Sequence, residues 1–252
     1  MRHPLVSIIT VCYNAQDTIE KTINSVRKQT YDNYEYIVVD GASTDDTMLI
    51  VEQNRDIITK YISEKDDGIY YAMNKALDMA TGEYVWFINA GDRIPHANTL
   101  EKIMESSYVF QDIYYGKTKI INNNGKVIAE RRLKLPHNLT RYSFLWGMVV
   151  CHQSAIVRRE IVGKYDTQYK ISADYDWLLS AIENAHPDKM RRSRRTYSYF
   201  LAGGMSKTHM KKGNTERFKI MVKHYGIFLA VIFNVFMVFR YVRDRLTRKS
   251  MA

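Results

Sequence analysis

Acidic residues follow several of the strand-like runs in the first hundred residues. Asp40 ends the run at residues 36–40, Asp67 lies in a turn before a helical pattern, and Asp92 follows the apolar run at 86–88. In an open α/β sheet, ligands bind just beyond the carboxyl ends of the strands, where these acids would lie. A carboxylate there can accept hydrogen bonds from a base or a ribose, so the repeated turns predict a nucleotide-using enzyme.

The third turn has a further feature, because Gly91 directly precedes Asp92. A carboxylate beside a residue without a side chain can hold a divalent cation against a diphosphate. Each turn also has a purely structural explanation: Asp67 alone fits a helix cap, and Asp92 alone fits an acid in a turn. The chemical interpretation therefore depends on all three turns lying on one edge of one sheet.

Strand-like and helix-like segments alternate through residue 110. Apolar residues at positions 19, 23 and 26 have helical spacing, for example, and they follow the β-rich run at 5–11. This alternation predicts a parallel, doubly wound sheet. The predicted strands are 5–11, 35–40, 58–62 and 84–88, and the predicted helices are 17–26, 44–54 and 68–80.

The alternation of strand-like and helix-like segments ends after residue 110. The runs at 113–121 and 126–132 flank an Asn-Gly pair at 124–125, which predicts a β-hairpin. Further strands are expected at 154–157 and 196–200, and a helix at 173–183.

The composition is that of a folded globular chain. Its 252 residues are 46% apolar, enough for one large domain or for one domain with an appendage. The two cysteines, Cys12 and Cys151, lie in apolar runs without CxxC spacing, so we expect buried free thiols in a reducing compartment. The N-terminus runs straight into the first strand, and we expect no signal peptide.

The net charge of +10 is unevenly distributed. Residues 1–100 contain 9 Lys/Arg and 15 Asp/Glu, a net of −6, whereas residues 101–252 contain 28 and 12, a net of +16. The acidic half suits a site that binds a cation and hydrogen-bonds a nucleotide. The basic half suits phosphate groups or an anionic surface.

The C-terminal region has a distinct pattern. Residues 225–239 are almost continuously apolar, with basic residues on both sides. At about 14 residues the apolar run is shorter than the roughly 20 that a transmembrane helix needs. An interfacial helix that binds an anionic membrane fits better. The alternative is a helix packed on the domain or on a partner subunit.

Four of these segments together resemble the family 2 inverting glycosyltransferases. The segments are residues 7–14, 38–47, 66–75 and 87–92, which match in order and spacing, and the resemblance covers roughly residues 4–210. Gly68-Ile-Tyr-Tyr-Ala-Met-Asn-Lys75 most resembles the colanic-acid and capsule branch. The resemblance implies a GT-A fold, that is, a Rossmann-like α/β sheet with helices on both faces, here followed by a C-terminal amphipathic or apolar helical tail.

The resemblance also implies a nucleotide-sugar site. The family's Asp-x-Asp metal motif here has Asn89 and Gly91 at its positions, which leaves Asp92 to bind Mg²⁺ or Mn²⁺. This departure puts tight metal binding in doubt. The implied nucleotide-sugar-binding residues are Thr10, Tyr13, Asn14, Asp40, Gly41, Asp67, Lys75, Asn89, Ala90 and Gly91.

A catalytic base is implied by the segment at 171–179. It matches the family's Glu-Asp-x-Asp with Ala173 in place of the Glu, so that Asp174 falls on the position of the base and Asp176 is the fallback. The chemistry needs one carboxylate near the acceptor hydroxyl to take its proton. His152 and Gln153 match a segment beside the acceptor or donor sugar. Without the resemblance, Asp174 would also fit a helix cap.

Two basic segments have open roles. Gly203 and Gly204 begin a stretch that includes His209, Lys211 and Lys212, which suggests a mobile loop that closes over a diphosphate. His209 as a metal ligand is one option there. The cluster at 191–195 fits either a solvated face or a contact with the pyrophosphate of a lipid-linked acceptor.

The expected function is an inverting, hexosyltransferase-type transfer from a nucleotide-diphosphate sugar, with UDP favoured over GDP. The acceptor is expected to be a saccharide or a polyprenyl-diphosphate-linked saccharide in surface polysaccharide synthesis, at the cytoplasmic face of the cell membrane. The expected division is a GT-A domain at 1–212, with a nucleotide-sugar half (1–110) and an acceptor half (111–212), and a tail at 213–252. Alternatives are a catalytically degenerate sugar- or nucleotide-binding homologue and, less favoured, a basic nucleic-acid-binding protein or a nucleotidyltransferase.

Overall fold

A mixed sheet runs through the molecule. The computed structural model describes residues 3–106, 109–203 and 209–249, and within them the sheet has eight strands. The strands are β1 (Val6–Cys12), β2 (Tyr34–Asp40), β3 (Lys60–Ser63), β4 (Tyr84–Phe87), β5 (Ile113–Ile121), β6 (Val127–Glu130), β7 (Ala155–Arg158) and β8 (Met190–Leu201). Their order across the sheet is β3-β2-β1-β4-β7-β5-β6, and β8 pairs with β5.

The parallel sheet predicted from the first 110 residues is confirmed. β1 pairs in parallel with both β2 and β4, and β2 pairs in parallel with β3. In contrast, β7 is antiparallel to β4 and β5, and β6 returns antiparallel from β5 across the Asn-Gly turn, as the hairpin prediction requires. Only the β5–β6 pair is joined by a tight turn, a connection that requires antiparallel strands, and β5 also pairs in parallel with β8.

Helices cover both faces of the sheet. They are α1 (Ile19–Arg27), α2 (Thr47–Gln53), α3 (Ile69–Met79), α4 (Thr99–Met104), α5 (Ala173–Asn184) and α6 (Met210–Lys249). Successive strand residues point to opposite faces, so Ile8 of β1 packs in the core with α1 and α4, and Ile9 packs in the core with α3 and α5. The sequence pattern did not predict the short α4.

The long C-terminal helix α6 consists of two helical segments. Gly226 interrupts it with φ 79° and ψ 163°, a left-handed conformation that glycine accepts most readily. Before the break, Ile220 and Met221 are buried against the rest of the domain. After it, large apolar side chains such as Phe228 and Phe239 are exposed.

The packing of α6 bears on the expected tail at 213–252. Residues 213–225 lie on the domain, and the interruption falls at Gly226 rather than at 212/213. By length and composition alone, Met210–Met237 could cross a membrane, and only 17% of its most apolar window is buried. This helix is longer than the apolar run of about 14 residues because it begins with the polar segment at residues 210–219. The division itself stays a prediction.

Both cysteines are free and buried, as expected. Burial is the main reason that the pKa of each thiol lies above its usual range, so both thiols stay protonated and inert at neutral pH.

Candidate active site

The carboxyl ends of β1, β2 and β4 meet at one edge of the sheet. Backbone hydrogen bonds continue beyond the strands there, since Gly41 N–H donates to Cys12 O and Ala90 N–H donates to Val11 O. The polar turns after these strands are therefore adjacent. This adjacency is what the chemical interpretation of the acidic turns requires.

Two of the predicted nucleotide-binding residues use their polar atoms within the fold. Asp40 is buried, and its carboxylate accepts hydrogen bonds from Ser43 N (2.8 Å) and Ser63 Oγ (2.7 Å). The hydroxyl of Thr10, also buried, donates to Ile88 O at 2.7 Å and contacts Tyr36 Oη at 2.9 Å. Both side chains thus hold the edge of the sheet together, and a direct contact with a nucleotide stays a prediction.

Gly41 lies between Tyr13 and Asp66, and we call the region that these residues border the cleft. The Tyr13 side chain is 64% exposed there, and Asn14 joins two turns, because its Oδ1 accepts from Thr44 N and its own N–H donates to Ser43 Oγ. A Cβ at Gly41 would lie 3.4 Å from the Tyr13 ring, so this position is narrow. Tyr13, Asn14 and Gly41 are thus brought together, as the sequence analysis expected.

The acid that borders this cleft is Asp66. A Cβ at Gly41 would lie 3.6 Å from Asp66 Oδ2, and the Asp66 side chain is buried and paired with Lys75 (Nζ–Oδ1 2.5 Å). Asp67, which the sequence analysis chose, is exposed and does not cap α3, whose N-cap is Gly68. The sequence correctly predicted an acidic turn here. It could not show which of the two adjacent acids points inward, because the segment is irregular.

The turn at residues 89–92 is pinned to the end of β8. Asp92 is buried, and its carboxylate accepts hydrogen bonds from Leu201 N (2.9 Å) and Gln153 Nε2 (3.0 Å). Gly91 has φ 97°, and a Cβ there would lie only 2.7 Å from the Leu201 side chain, so this position requires glycine. The turn therefore links the nucleotide half of the chain to the second half.

Burial changes the chemistry of Asp92. Loss of solvation raises the pKa of the Asp92 carboxyl to about 7, although the two hydrogen bonds and the nearby His152 oppose the shift. The Asp92 carboxyl therefore holds its proton to higher pH than an ordinary aspartate. A cation that binds there would have to displace a proton.

The second half of the chain supplies the other wall of a cavity of about 600 Å³. Asn89, Asp92, His152 and Asp174 all line it, together with Tyr70 of α3. His152 Nδ1 lies 3.3 Å from Asp174 Oδ2, and Tyr70 Oη donates to Asp174 Oδ1 at 3.2 Å. The predicted base, the predicted metal ligand and the predicted sugar-binding segment thus share one cavity.

The surroundings of Asp174 favour its ionised form. Burial alone would raise its pKa, but the neighbouring His152 and the positive charge of Arg217 outweigh it, so the pKa lies below the usual range. Ser172, not Asp174, is the N-cap of α5. Asp174 is 21% exposed toward the cavity, which leaves it accessible to a small substrate group.

The donors around Asp92 suit a weakly held divalent cation. Within the described residues, no group of three or more His, Cys, Asp or Glu side chains could hold a metal. However, the buried Oδ1 of Asn89 has no hydrogen-bond partner, and it lies in the same turn as the Asp92 carboxylate. One carboxylate and one amide oxygen fit Mg²⁺ or Mn²⁺ that takes its remaining ligands from phosphate and water.

The two basic segments differ in position. Gly203 lines the catalytic cavity, whereas 204–208 lie outside the described residues, and Lys211 and Lys212 are exposed at the start of α6. Arg194 and Arg195 line a separate cleft of about 300 Å³ with three lysines. The 191–195 cluster is therefore not brought to the cavity, and its role stays open.

The sequence analysis missed two residues of α6 that reach the site. Glu216 is buried, and its carboxylate accepts hydrogen bonds from the backbone N–H groups of three successive residues just before Asp174. Arg217 lines the cavity. Both precede the apolar stretch that dominated the sequence pattern, and no local signal marks them. The backbone N–H groups that donate to Glu216 are those of Lys170, Ile171 and Ser172.

Comparison with known proteins agrees with this geometry. A family model described as "Glycosyl transferase family 2" matches residues 7–166. A PGL/p-HBAD biosynthesis glycosyltransferase of Mycobacterium bovis is 28% identical over 249 residues, which cover 92% of this chain and 90% of that protein. TuaG of Bacillus subtilis, a glycosyltransferase assigned to teichuronic acid biosynthesis, is 34% identical over 167 residues, 64% of this chain and 65% of that protein.

Solved structures share the fold at low sequence identity. The crystal structure of S. aureus TarS in complex with UDP-GlcNAc has a TM-score of 0.65 at 22% identity, and the match covers 86% of this chain. The mannosyltransferase PcManGT of Pyrobaculum calidifontis, in complex with GDP-Man and Mn²⁺, has a TM-score of 0.63 at 19% identity and 88% coverage. The chain spans 64% of the length of each of these two structures.

Proposed function

The chain belongs to glycosyl transferase family 2, and from that membership we propose that it moves a hexose from a nucleoside-diphosphate sugar to an acceptor hydroxyl with inversion. The observation that carries this proposal is the shared cavity of Asp92 and Asp174. Asp92 would hold the metal ion that binds the departing diphosphate. Asp174 would remove the proton of the acceptor hydroxyl.

The mechanism assigns Asp174 as the general base. As the acceptor oxygen attacks the anomeric carbon, Asp174 takes the hydroxyl proton, and the sugar–phosphate bond breaks on the opposite face. Because its pKa is held below the usual range, Asp174 is ionised at neutral pH and ready to accept that proton. His152 and Tyr70 fix the carboxylate by their contacts to its two oxygens.

The departing nucleoside diphosphate needs charge stabilisation. Asp92 and Asn89 would hold Mg²⁺ or Mn²⁺, which acts as a Lewis acid on the diphosphate oxygens. The Mn²⁺ in the PcManGT structure supports a metal of this kind. Lys75 is paired with both Asp66 and Glu64 beside the cleft, and it would contribute positive charge to the nucleotide side if a diphosphate replaced one of these carboxylates.

The donor is a nucleotide sugar, with UDP favoured. The UDP-GlcNAc in the TarS structure and the GDP-Man in the PcManGT structure support this class. Tyr13, Asn14 and Gly41 form the cleft for the base and ribose, and Asp66 takes the place that the sequence analysis gave to Asp67.

The acceptor is a saccharide, or a saccharide on a polyprenyl diphosphate, in surface polysaccharide synthesis. The similarity to a teichuronic acid enzyme supports this assignment. The exposed apolar face of α6 after Gly226 supports attachment to the cytoplasmic face of the membrane. The basic residues that follow in the sequence would meet anionic head groups.

One structural observation favours a second candidate, a degenerate homologue that binds nucleotide without turnover. Both oxygens of Asp92 are engaged by Leu201 and Gln153, which opposes metal binding. A thermal-shift panel of UDP, GDP, CDP and dTDP, each with and without Mn²⁺, separates the candidates. A ligand at about 100 times its dissociation constant adds roughly 2.7 kcal/mol of stability.

Transferase function predicts that one nucleotide stabilises the protein mainly with Mn²⁺ and that Asp92→Ala removes the metal-dependent part. Asp188→Ala, at an exposed position just before β8, is the matched control and should leave the shift unchanged. Stabilisation that is independent of metal and of Asp92 would favour the degenerate homologue. No stabilisation by any nucleotide would contradict both candidates.

A further inference from the structure

A second groove adjoins the catalytic cavity. It has a volume of about 680 Å³, and Leu133 and Trp146 line both it and the cavity that contains Asp174. The groove and the cavity that contains the proposed base are therefore adjacent. None of the residues implied for the nucleotide sugar lines the groove.

Two exposed aromatic side chains form one wall. Tyr142 is 58% exposed and Trp146 is 40% exposed, and both belong to the short 3₁₀ helix Arg141–Trp146. The Trp146 ring is held by edge contacts to Phe233 (5.4 Å) and Phe236 (5.5 Å) of α6. Aromatic rings that are fixed yet exposed in a concave site provide apolar contact area for a ligand at little entropic cost. The apolar faces of sugar rings fit such a wall.

The groove is also positively charged. Arg132 and Lys134 line the groove, and within the described part of the chain no acidic side chain does so. Arg131 adds a third positive charge in the lining of the neighbouring cavity, with one N–H group donating to Met148 O. A groove with this charge favours an anionic ligand, because its field attracts and holds negative groups.

We propose that this groove binds the acceptor, and that the acceptor is a saccharide carrying an oxyanion, either a carboxylate on the sugar or a phosphate. The sugar packs against Tyr142 and Trp146, and the oxyanion is bound by Lys134. The acceptor hydroxyl then passes Leu133 and Trp146 to reach Asp174. This inference rests on the proposed function, since only a transferase needs an acceptor next to its base.

Tryptophan fluorescence of the full chain tests the proposal. Trp86 and Trp177 are buried, so a ligand in the groove acts on Trp146. The probes are neutral maltotriose, trigalacturonate, and farnesyl-diphospho-N-acetylglucosamine. We expect at least one anionic probe to change the emission, and Trp146→Phe to remove the change. Binding of trigalacturonate alone identifies a sugar carboxylate, and binding of the diphosphate probe alone identifies a lipid-linked phosphate.

Calorimetric titration of Lys134→Ala gives a second measurement that does not depend on Trp146. Both Lys134 and the control Lys28 at the end of α1 are exposed, so neither change should disturb folding. Loss of one charged contact should weaken binding of the anionic probe by about five- to tenfold, whereas Lys28→Ala should leave it unchanged. Failure of both anionic probes, equal binding of maltotriose, or equal affinity in Lys134→Ala would overturn the proposal.

Nucleotide stabilisation is measured on the same preparations. If a nucleoside diphosphate stabilises the protein but the probes fail, the groove assignment is wrong and the transferase proposal stands. If no nucleoside diphosphate stabilises the protein either, both the groove assignment and the transferase proposal are wrong.

Discussion

The carboxylate of Asp92 accepts a hydrogen bond from the backbone N–H of Leu201, a residue 109 positions further along the chain. The contact joins the turn after β4 to the last residue of β8. Gly203, two residues further along the chain, lines the cavity that contains Asp174. The proposed metal ligand is therefore also a structural link between the two halves of the molecule. Any ligand that recruits Asp92 must alter this link.

We predict that Asp92 lowers stability as the pH rises. Its folded-state pKa of about 7 lies above the unfolded value, so the native state binds more protons between about pH 4 and 7, and stability falls across that range. Asp92→Asn cannot ionise and should lack this dependence, with a relative gain of about 1–3 kcal/mol by pH 8. Thermal melts of both proteins from pH 5 to 8 measure the difference, and parallel curves would contradict the prediction.

The same pKa predicts how metal binding depends on pH. Mn²⁺ must displace the proton of Asp92, so Mn²⁺-dependent nucleotide affinity should rise by about tenfold per pH unit below pH 7 and level off above it. Calorimetric titrations at several pH values measure this slope. Affinity that is constant from pH 5.5 to 8 would mean that Asp92 does not hold the metal.

Asp174→Asn should abolish turnover without loss of donor binding. Removal of a general base typically costs about 10²- to 10⁴-fold in rate. His152→Gln should have a milder and different effect, because loss of the neighbouring imidazole raises the pKa of Asp174 and moves the acid limb of kcat/KM to higher pH. Initial rates over a pH series distinguish the two. A base other than Asp174 is indicated if Asp174→Asn retains its rate.

Sequence patterns predicted the elements of the first hundred residues well, because their helices and strands have clear periodicity. The family and the GT-A fold class were also predicted correctly. Patterns failed to show which of the adjacent side chains Asp66 and Asp67 points inward, because the segment is irregular. They also failed for Glu216, whose partners lie more than 40 residues away and leave no local signal.

Glu216 should support catalysis from outside the cavity. Its carboxylate accepts three backbone hydrogen bonds from residues 170–172, which lead directly to Asp174. Glu216→Ala leaves these donors unpaired, and we expect a loss of about 2–4 kcal/mol in stability and a lower kcat. Glu216→Gln retains one acceptor oxygen and should be intermediate. The Kd for nucleotide should not change, and a change in that Kd with an unaltered kcat would contradict the assignment.

The break at Gly226 predicts where the chain can be shortened. Residues 213–225 supply Glu216 and the buried Ile220 and Met221, whereas most large apolar side chains after the break are exposed. A protein ending at Gly226 should therefore fold and bind nucleotide, at somewhat reduced stability because Trp146 loses its contacts with Phe233 and Phe236. A protein ending at residue 212 should not fold.

The two truncations also test membrane attachment. Full-length protein should sediment with vesicles that contain anionic lipid, less so with neutral vesicles, and less at high salt, because basic residues and an exposed apolar face act together. The chain ending at Gly226 keeps the catalytic cavity apart from Met237 and should stay in the supernatant. Sedimentation of that shorter protein would locate the attachment elsewhere, and full-length protein that never sediments would assign the exposed face to a protein partner.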